Sequence, residues 1–264
     1  MNKLFKQKIV NLSKRLIPHE IRIFLRKLNW KRLYYQQLLF SNHLKSEFYC
    51  PIAKKEFKLF IKIRDNLLTP SNGANSRQRL VWLYLENELN ILSKEYVLLH
   101  IAPELSYYDI LSKCDNLFYI PGDKMTPGYS NQRGIQNIDL TNLKFNDNFF
   151  DIIICNHVLE HIQDHNKAIS EMYRVLKKGG IGIITVPINE NLNKTYEDPS
   201  IITPSERMKH FGQWDHVRWY ALDIENIFSK YGFSVDMNRY SRNFSAKEIK
   251  RYGLCKSLII IVHK

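Results

Sequence analysis

Apolar residues recur along this chain in two rhythms. The stretch Val97-Leu98-Leu99-His100-Ile101 is a short, almost continuous apolar run of the kind that forms a buried strand, and similar runs follow at 117–120, 135–138, 151–155 and 181–186. Between them, 105–113 and 158–176 carry apolar residues at helical spacing. Leu80, Leu83 and Tyr84, with Glu86 and Glu88 on another face, predict a helix from 76 to about 93. Strand and helix in alternation predict an α/β fold, a parallel sheet with helices on both faces. Further on, 222–230 reads as a helix closed by Tyr231-Gly232. The runs 233–237 and 257–263 then read as a final strand pair forming an antiparallel edge.

The first 49 residues follow a different pattern. Ile21, Phe24, Leu25 and Leu28 lie at helical spacing among Arg22, Arg26 and Lys27, and Pro18 suits a helix start, so two basic amphipathic helices are expected. This extension holds eleven Lys/Arg and two Asp/Glu, a net +9 of the chain's +13, so the remainder is nearly balanced. Such helices serve as a lid on the main domain, as a contact with an anionic membrane surface, or as a cover for nucleic acid, the last being the least expected. Residues 50–75, with Pro51, Pro70 and an Asn72-Gly73 turn signal, read as a loop-rich segment before a main domain at 76–264.

Composition bounds the classes. At 264 residues and 44% hydrophobic, the chain can fill one full domain with an appendage, and no uncharged stretch approaches the ~20 apolar residues of a membrane span. Four cysteines without paired spacing, and an opening interrupted by charges, lead to the expectation of a reducing, cytoplasmic compartment.

In an open α/β sheet, ligands bind beyond the carboxyl ends of the strands, which makes the residues after each run the ones to read. They are polar: Ala102-Pro103-Glu104, Gly122-Asp123, Asp139, and Asn156-His157 followed by Glu160-His161. A nucleoside needs a carboxylate for ribose hydroxyls, an acceptor for an exocyclic amine and a small-residue turn, and each need has a candidate here. Two patterns mislead. His157-Val158-Leu159-Glu160-His161 spells a zinc-peptidase signature, but that signature needs an established helix where a strand has just ended. Gly179-Gly180-Ile181-Gly182 precedes a strand rather than a helix, so it reads as a tight turn and not a phosphate loop.

The block Asn146-Asp147-Asn148-Phe149-Phe150-Asp151-Ile152-Ile153-Ile154-Cys155-Asn156-His157-Val158-Leu159-Glu160-His161-Ile162, with Glu171 and Arg174-Val175-Leu176-Lys177-Lys178-Gly179-Gly180, resembles the fourth- and fifth-strand motifs of class I S-adenosylmethionine-dependent methyltransferases. The resemblance extends to Val97-Leu98-Leu99-His100-Ile101-Ala102-Pro103-Glu104 and to Phe211-Gly212-Gln213-Trp214-Asp215-His216-Val217-Arg218, covering roughly residues 50–264. It implies a Rossmann-like sheet of seven strands that binds S-adenosylmethionine across its strand ends. By that resemblance His100, Ala102 and Glu104 belong to the cofactor site, the latter two on the methionine side. Asp123 faces the ribose, Asp139 the adenine amine, and Asn156 closes the floor. Most members have a glycine-rich first motif with an acidic residue where this chain has His100. Relatives also carry a zinc knuckle of two Cys-Pro-x-Cys pairs, which Cys50-Pro51-Ile52-Ala53 and Thr69-Pro70-Ser71-Asn72 match with a single cysteine. One thiol cannot hold a tetrahedral zinc, so no structural metal is expected, and the segment should pack as a loop on Arg77, Arg79 and the following helix.

Methyl transfer to oxygen needs a proton acceptor, and histidine suits the task. His216 is the first candidate, with Asp215 to orient a ring or bind a hydroxyl, and His157 is the second. Glu160, Trp214 and Arg218 are the expected acceptor-binding residues, with Arg218 holding an acidic group. Trp214, Trp219 and Tyr220 suit a sugar face. The expected activity is therefore O-methylation of a small molecule or glycan, with polysaccharide precursors foremost. A non-catalytic scaffold and a nucleic-acid methyltransferase are the alternatives.

Overall fold

The computed structural model describes residues 19–41, 45–124 and 134–264. The first of the two helices expected in the basic extension lies outside the described residues. The second is α1 (His19–Leu39). Two small antiparallel hairpins follow, β1 (Phe48–Cys50) with β2 (Lys55–Phe57) and β3 (Ile61–Ile63) with β4 (Asn66–Leu68), where the sequence suggested only loop. Helix α2 (Ser76–Asn87) starts at a capping box in which Asn75 and Gln78 satisfy one another's backbone. It stops six residues short of the sequence-based end.

The body then runs β5 (Tyr96–Ile101), α3 (Leu105–Leu111), β6 (Leu117–Asp123), β7 (Gln136–Asn137), β8 (Phe150–Asn156), α4 (His165–Val175), β9 (Leu176–Thr185), β10 (Tyr196–Glu197), α5 (Pro204–Phe211), β11 (Arg218–Trp219), α6 (Ile224–Ser229), β12 (Ser234–Asn238), α7 (Ala246–Tyr252) and β13 (Ile259–His263). Seven strands form one sheet in the order β12-β13-β9-β8-β5-β6-β7, parallel except for β13, which is antiparallel to both its neighbours. This is the expected Rossmann-like architecture.

Strand alternation builds a core on each face. Leu99, Ile101, Ile153, Cys155, Ile184, Ile260 and Val262 face Ala168, Ile169, Met172 and Val175 of α4 and Ile224 and Phe228 of α6. Leu98, Ile152, Ile154, Ile183, Ile259 and Ile261 face Leu80, Trp82 and Leu85 of α2 and Tyr107 and Leu111 of α3. Because both faces are covered, the central strands are apolar throughout, which is why the sequence revealed them.

Two boundaries differ from the sequence reading. The stretch 158–176 is not one helix: a 3-10 turn at Leu159–His161 comes first, and α4 begins only where Asp164 accepts the Lys167 N–H at 2.9 Å. Gly179-Gly180 makes no turn before a strand. β9 already pairs at Leu176↔Phe150 and resumes at Ile181↔Ile152, so the glycines form a bulge within it, with Gly179 at φ 76°.

The hairpin pair is fixed by Arg79, which is wholly buried. Its guanidinium donates to the carbonyls of Leu67, Ala74, Tyr252 and Gly253 and to Thr69 Oγ1 and Ser76 Oγ, and it stacks 4.2 Å over Phe60. Cys50 Sγ accepts from Ala53 N–H and Thr69 Oγ1–H, so the knuckle-like positions close on a hydrogen bond. Helix α1 meets this module through Gln37, which bonds both backbone groups of Lys62, and through Trp30, whose ring lies against Gly73.

Candidate functional site

The strand order reverses between β5 and β8, and the crevice beyond that switch point is where an α/β sheet receives a ligand. At the end of β5, Ala102 takes a left-handed φ of 49° and donates its N–H to Gly122 O at 2.7 Å. That conformation costs an alanine roughly 1–2 kcal/mol, and a small residue is what such a turn tolerates. Glu104 sits at the N-cap of α3, yet its side chain makes no cap bond. It instead meets His100 Nε2 at 3.0 Å, while His100 Nδ1 lies 2.9 Å from the Tyr119 hydroxyl. Burial pushes the Glu104 carboxyl up, but the bond from His100 and the proximity of His100 and Arg77 outweigh it, leaving the group below its ordinary value. His100 is fully buried with both ring nitrogens engaged. Against the expectation that it lies in the cofactor site, the structure shows its ring held between Tyr119 and Glu104.

Asp123, at the end of β6, is half-buried, and burial raises its carboxyl against the opposing backbone N–H of Lys124. Asp139 follows β7. Its Oδ1 accepts from Thr141 N–H and Oγ1–H, and its Oδ2 meets Lys124 Nζ at 2.7 Å. Although burial opposes it, these partners hold the carboxyl down at about 2. Asn156 ends β8 almost completely buried; its Oδ1 accepts from Thr185 Oγ1–H at 2.8 Å, and its Nδ2 has no partner among the described residues. A buried amide donor without an acceptor is costly unless a ligand supplies one. A free donor at Asn156, the carboxylates of Asp123 and Glu104 and the compact Ala102 turn fit a nucleoside-bearing cofactor.

Beyond β8 stands a second group. His157 has φ 53°, donates its N–H to Thr185 O, and places Nδ1 2.9 Å from Glu160 Oε1. Glu160, expected to bind an acceptor, is fully buried and faces the imidazoles of His157, His161 and His216. His161 Nδ1 lies 3.3 Å from the Asp215 carbonyl oxygen and 3.5 Å from its carboxylate. The ring that Asp215 meets is thus that of His161. The His161 and His216 rings pack edge to face at 4.8 Å, and His216 Nδ1 has no partner among the described residues. Burial, then the neighbouring His161, lowers the His216 imidazole, favouring its neutral form.

Arg218, expected to hold an acidic acceptor group, lies in β11 against the turn after β8. It is 2% exposed, and its donors go to Glu197 and to the carbonyls of Leu159, Ile162 and Gln163, so it clamps the 3-10 turn. Trp214 is half-buried near this region, and Trp219 packs against Gly212. Thr185 and His161 stand among these candidates although neither was given a role from the sequence. Thr185 reads as an ordinary strand residue, whereas the second histidine of the peptidase-like pattern was a visible signal for His161.

A family described as "Methyltransferase domain" matches residues 125–184. The ubiquinone/menaquinone biosynthesis C-methyltransferase UbiE of Vibrio cholerae serotype O1 is 41% identical over 86 residues, 31% of this chain and 33% of that relative. UbiE of Escherichia coli O1:K1 / APEC is 43% identical over 58 residues, 21% of this chain and 23% of that relative. The chain thus spans about a third or less of the length of these relatives. Similar solved structures include an S-adenosylmethionine-dependent methyltransferase from Mesorhizobium loti (11% identity, 69% of this chain and 98% of that one, TM-score 0.44). Another is Haemonchus contortus phosphoethanolamine N-methyltransferase 2 with S-adenosyl-L-methionine (17% identity, 67% and 51%, TM-score 0.42). The segment 125–184, which includes β8 and most of β9, is thus similar to a methyltransferase domain.

Proposed function

We propose that the protein transfers a methyl group from S-adenosylmethionine to a hydroxyl of a small molecule or glycan. The observation that carries the reading is the polar strand-end set at the switch point, in which Asp123 would take the ribose, Asn156 offers an unpartnered amide donor, and Ala102 and Glu104 would flank the methionine end. Asp139 would accept the adenine amine, with Lys124 yielding one carboxylate oxygen. The cofactor supplies an electrophilic methyl on a sulfonium, and transfer is an in-line displacement that depends on alignment and exclusion of water.

The residues beyond β8 serve the acceptor. His157 is 26% exposed at its side chain, whereas His216 is 7% exposed, so His157 takes the role of base that the sequence assigned first to His216. With Nδ1 turned to Glu160, His157 keeps Nε2 to receive the hydroxyl proton as the oxygen gains the methyl. The UbiE relatives are named C-methyltransferases, which makes a carbon acceptor the competing reading. Calorimetry of S-adenosylmethionine and S-adenosylhomocysteine with wild type and Asp123→Ala tests the cofactor site: micromolar binding lost in the variant supports it. A folded wild type that binds neither favours the scaffold reading.

Helix α1 leaves Ile21, Phe24, Leu25 and Leu28 46–60% exposed at helical spacing among arginines and lysines. No helix among the described residues is long and apolar enough to cross a membrane. We propose that α1 rests on an anionic membrane surface, bringing the site to a lipid-linked acceptor at the cytoplasmic face. Deleting residues 1–45 should abolish co-sedimentation with phosphatidylserine vesicles while sparing cofactor binding, and unchanged sedimentation would remove this idea.

A further inference from the structure

Glu160, His161 and His216 come from two segments more than fifty residues apart, and one ligand atom from each lies within 4.8 Å of the other two. Glu160 is fully buried, its Oε1 is met only by His157 Nδ1 at 2.9 Å among the described residues, and its Oε2 makes no hydrogen bond among them. His216 is 7% exposed and leaves Nδ1 unpartnered. A buried carboxylate approached by a single imidazole nitrogen of His157, near a second histidine whose Nδ1 has no partner, is an arrangement that folding alone disfavours. The scaffold around it is stiff. Val217 N–H bonds Glu160 O at 2.9 Å, joining the two segments, and the Arg218 guanidinium secures the carbonyls of Leu159, Ile162 and Gln163 on the turn that carries Glu160 and His161.

We propose that Glu160, His161 and His216 bind a first-row divalent transition-metal ion. Two imidazoles and one carboxylate form a donor set that suits zinc or iron and leaves coordination positions open. Bonds of about 2.0–2.1 Å to a tetrahedral ion set ligand atoms about 3.4 Å apart, so the cluster must contract on binding. His161, 31% exposed, 3.3–3.5 Å from Asp215 and packed edge to face on His216, is the most exposed of the three and the one whose shift closes the site. His157 then orients the ligating carboxylate through its other oxygen, and Asp215 stands beside His161 as an outer partner. That an open position receives an acceptor oxygen rests on the methyltransferase reading; metal binding itself does not.

The test uses the full, tag-free chain stripped with chelator, titrated with Zn2+ by calorimetry and with Co2+ by visible absorption. One equivalent should bind, with cobalt d–d bands, and His161→Gln should weaken binding at least about 10–100-fold. His210→Gln, on exposed α5, should bind as wild type. S-adenosylmethionine binding measured on the same samples separates the two ideas: a metal that binds without the cofactor supports this site and counts against the transfer reaction. Absence of stoichiometric binding, or binding that His161→Gln leaves unchanged, overturns the proposal. Because His161 is partly exposed, its variant should fold even if a His216 variant does not.

Discussion

Replacing Arg79 by methionine should be among the most damaging single changes outside the site. The guanidinium is wholly buried, makes six hydrogen bonds and faces Phe60. Burial lowers it to about 10, so it remains charged at neutral pH. Methionine fills comparable space but strands the carbonyls of Tyr252 and Gly253 at the end of α7, which Arg79 reaches at 2.6 and 2.7 Å. Each buried acceptor left without a donor costs about 1–3 kcal/mol, so we take about 4 kcal/mol for the pair. At about 2–4 °C per kcal/mol for a chain of this size, Tm should fall by about 8–16 °C. Urea denaturation and differential scanning calorimetry measure this directly, and Arg79→Lys should recover only part because it lacks the planar fork. A loss below about 1 kcal/mol would refute the reasoning, since relief of the buried charge would then match the value of the six bonds.

Two further outcomes are expected. A Cβ at Gly122 would lie 2.4 Å from Ile138 Cδ1, so Gly122→Ala should push Ile138 and the adjoining Asp139 outward and cost about 1–3 kcal/mol of stability. Calorimetry should then show S-adenosylmethionine binding weakened about 10-fold or more, and unchanged affinity would separate that packing from the site. His165 is 5% exposed, bonds the Tyr220 hydroxyl at 2.8 Å, and is lowered to about 4 by burial and then by Arg218. The unfolded chain therefore binds a proton there that the folded chain refuses between about pH 6.5 and 4, so stability is full above that window and lost as pH falls through it. Between pH 6.5 and 5 the wild type should lose about 2 kcal/mol that His165→Gln does not, and parallel urea titrations with equal slopes would disprove the assignment.

The sequence by itself determined the strands of the parallel sheet, because both of their faces are covered and their burial is written as continuous apolar runs. It also placed Ala102, Glu104, Asp123, Asp139 and Asn156 at strand ends, since polar residues directly after such runs have few other places to go. Periodicity reports which face of an element is buried but not what lies against it. That Tyr119 and Glu104 engage both nitrogens of His100 is visible only in the structure. That the turn after β8 folds around Arg218 is likewise visible only in the structure. The meeting of Glu160 and His161 with His216 was decided by tertiary structure alone, because it depends on the late segment returning across the end of β8 to pair Val217 with Glu160. Spacing within either segment carries no record of that return.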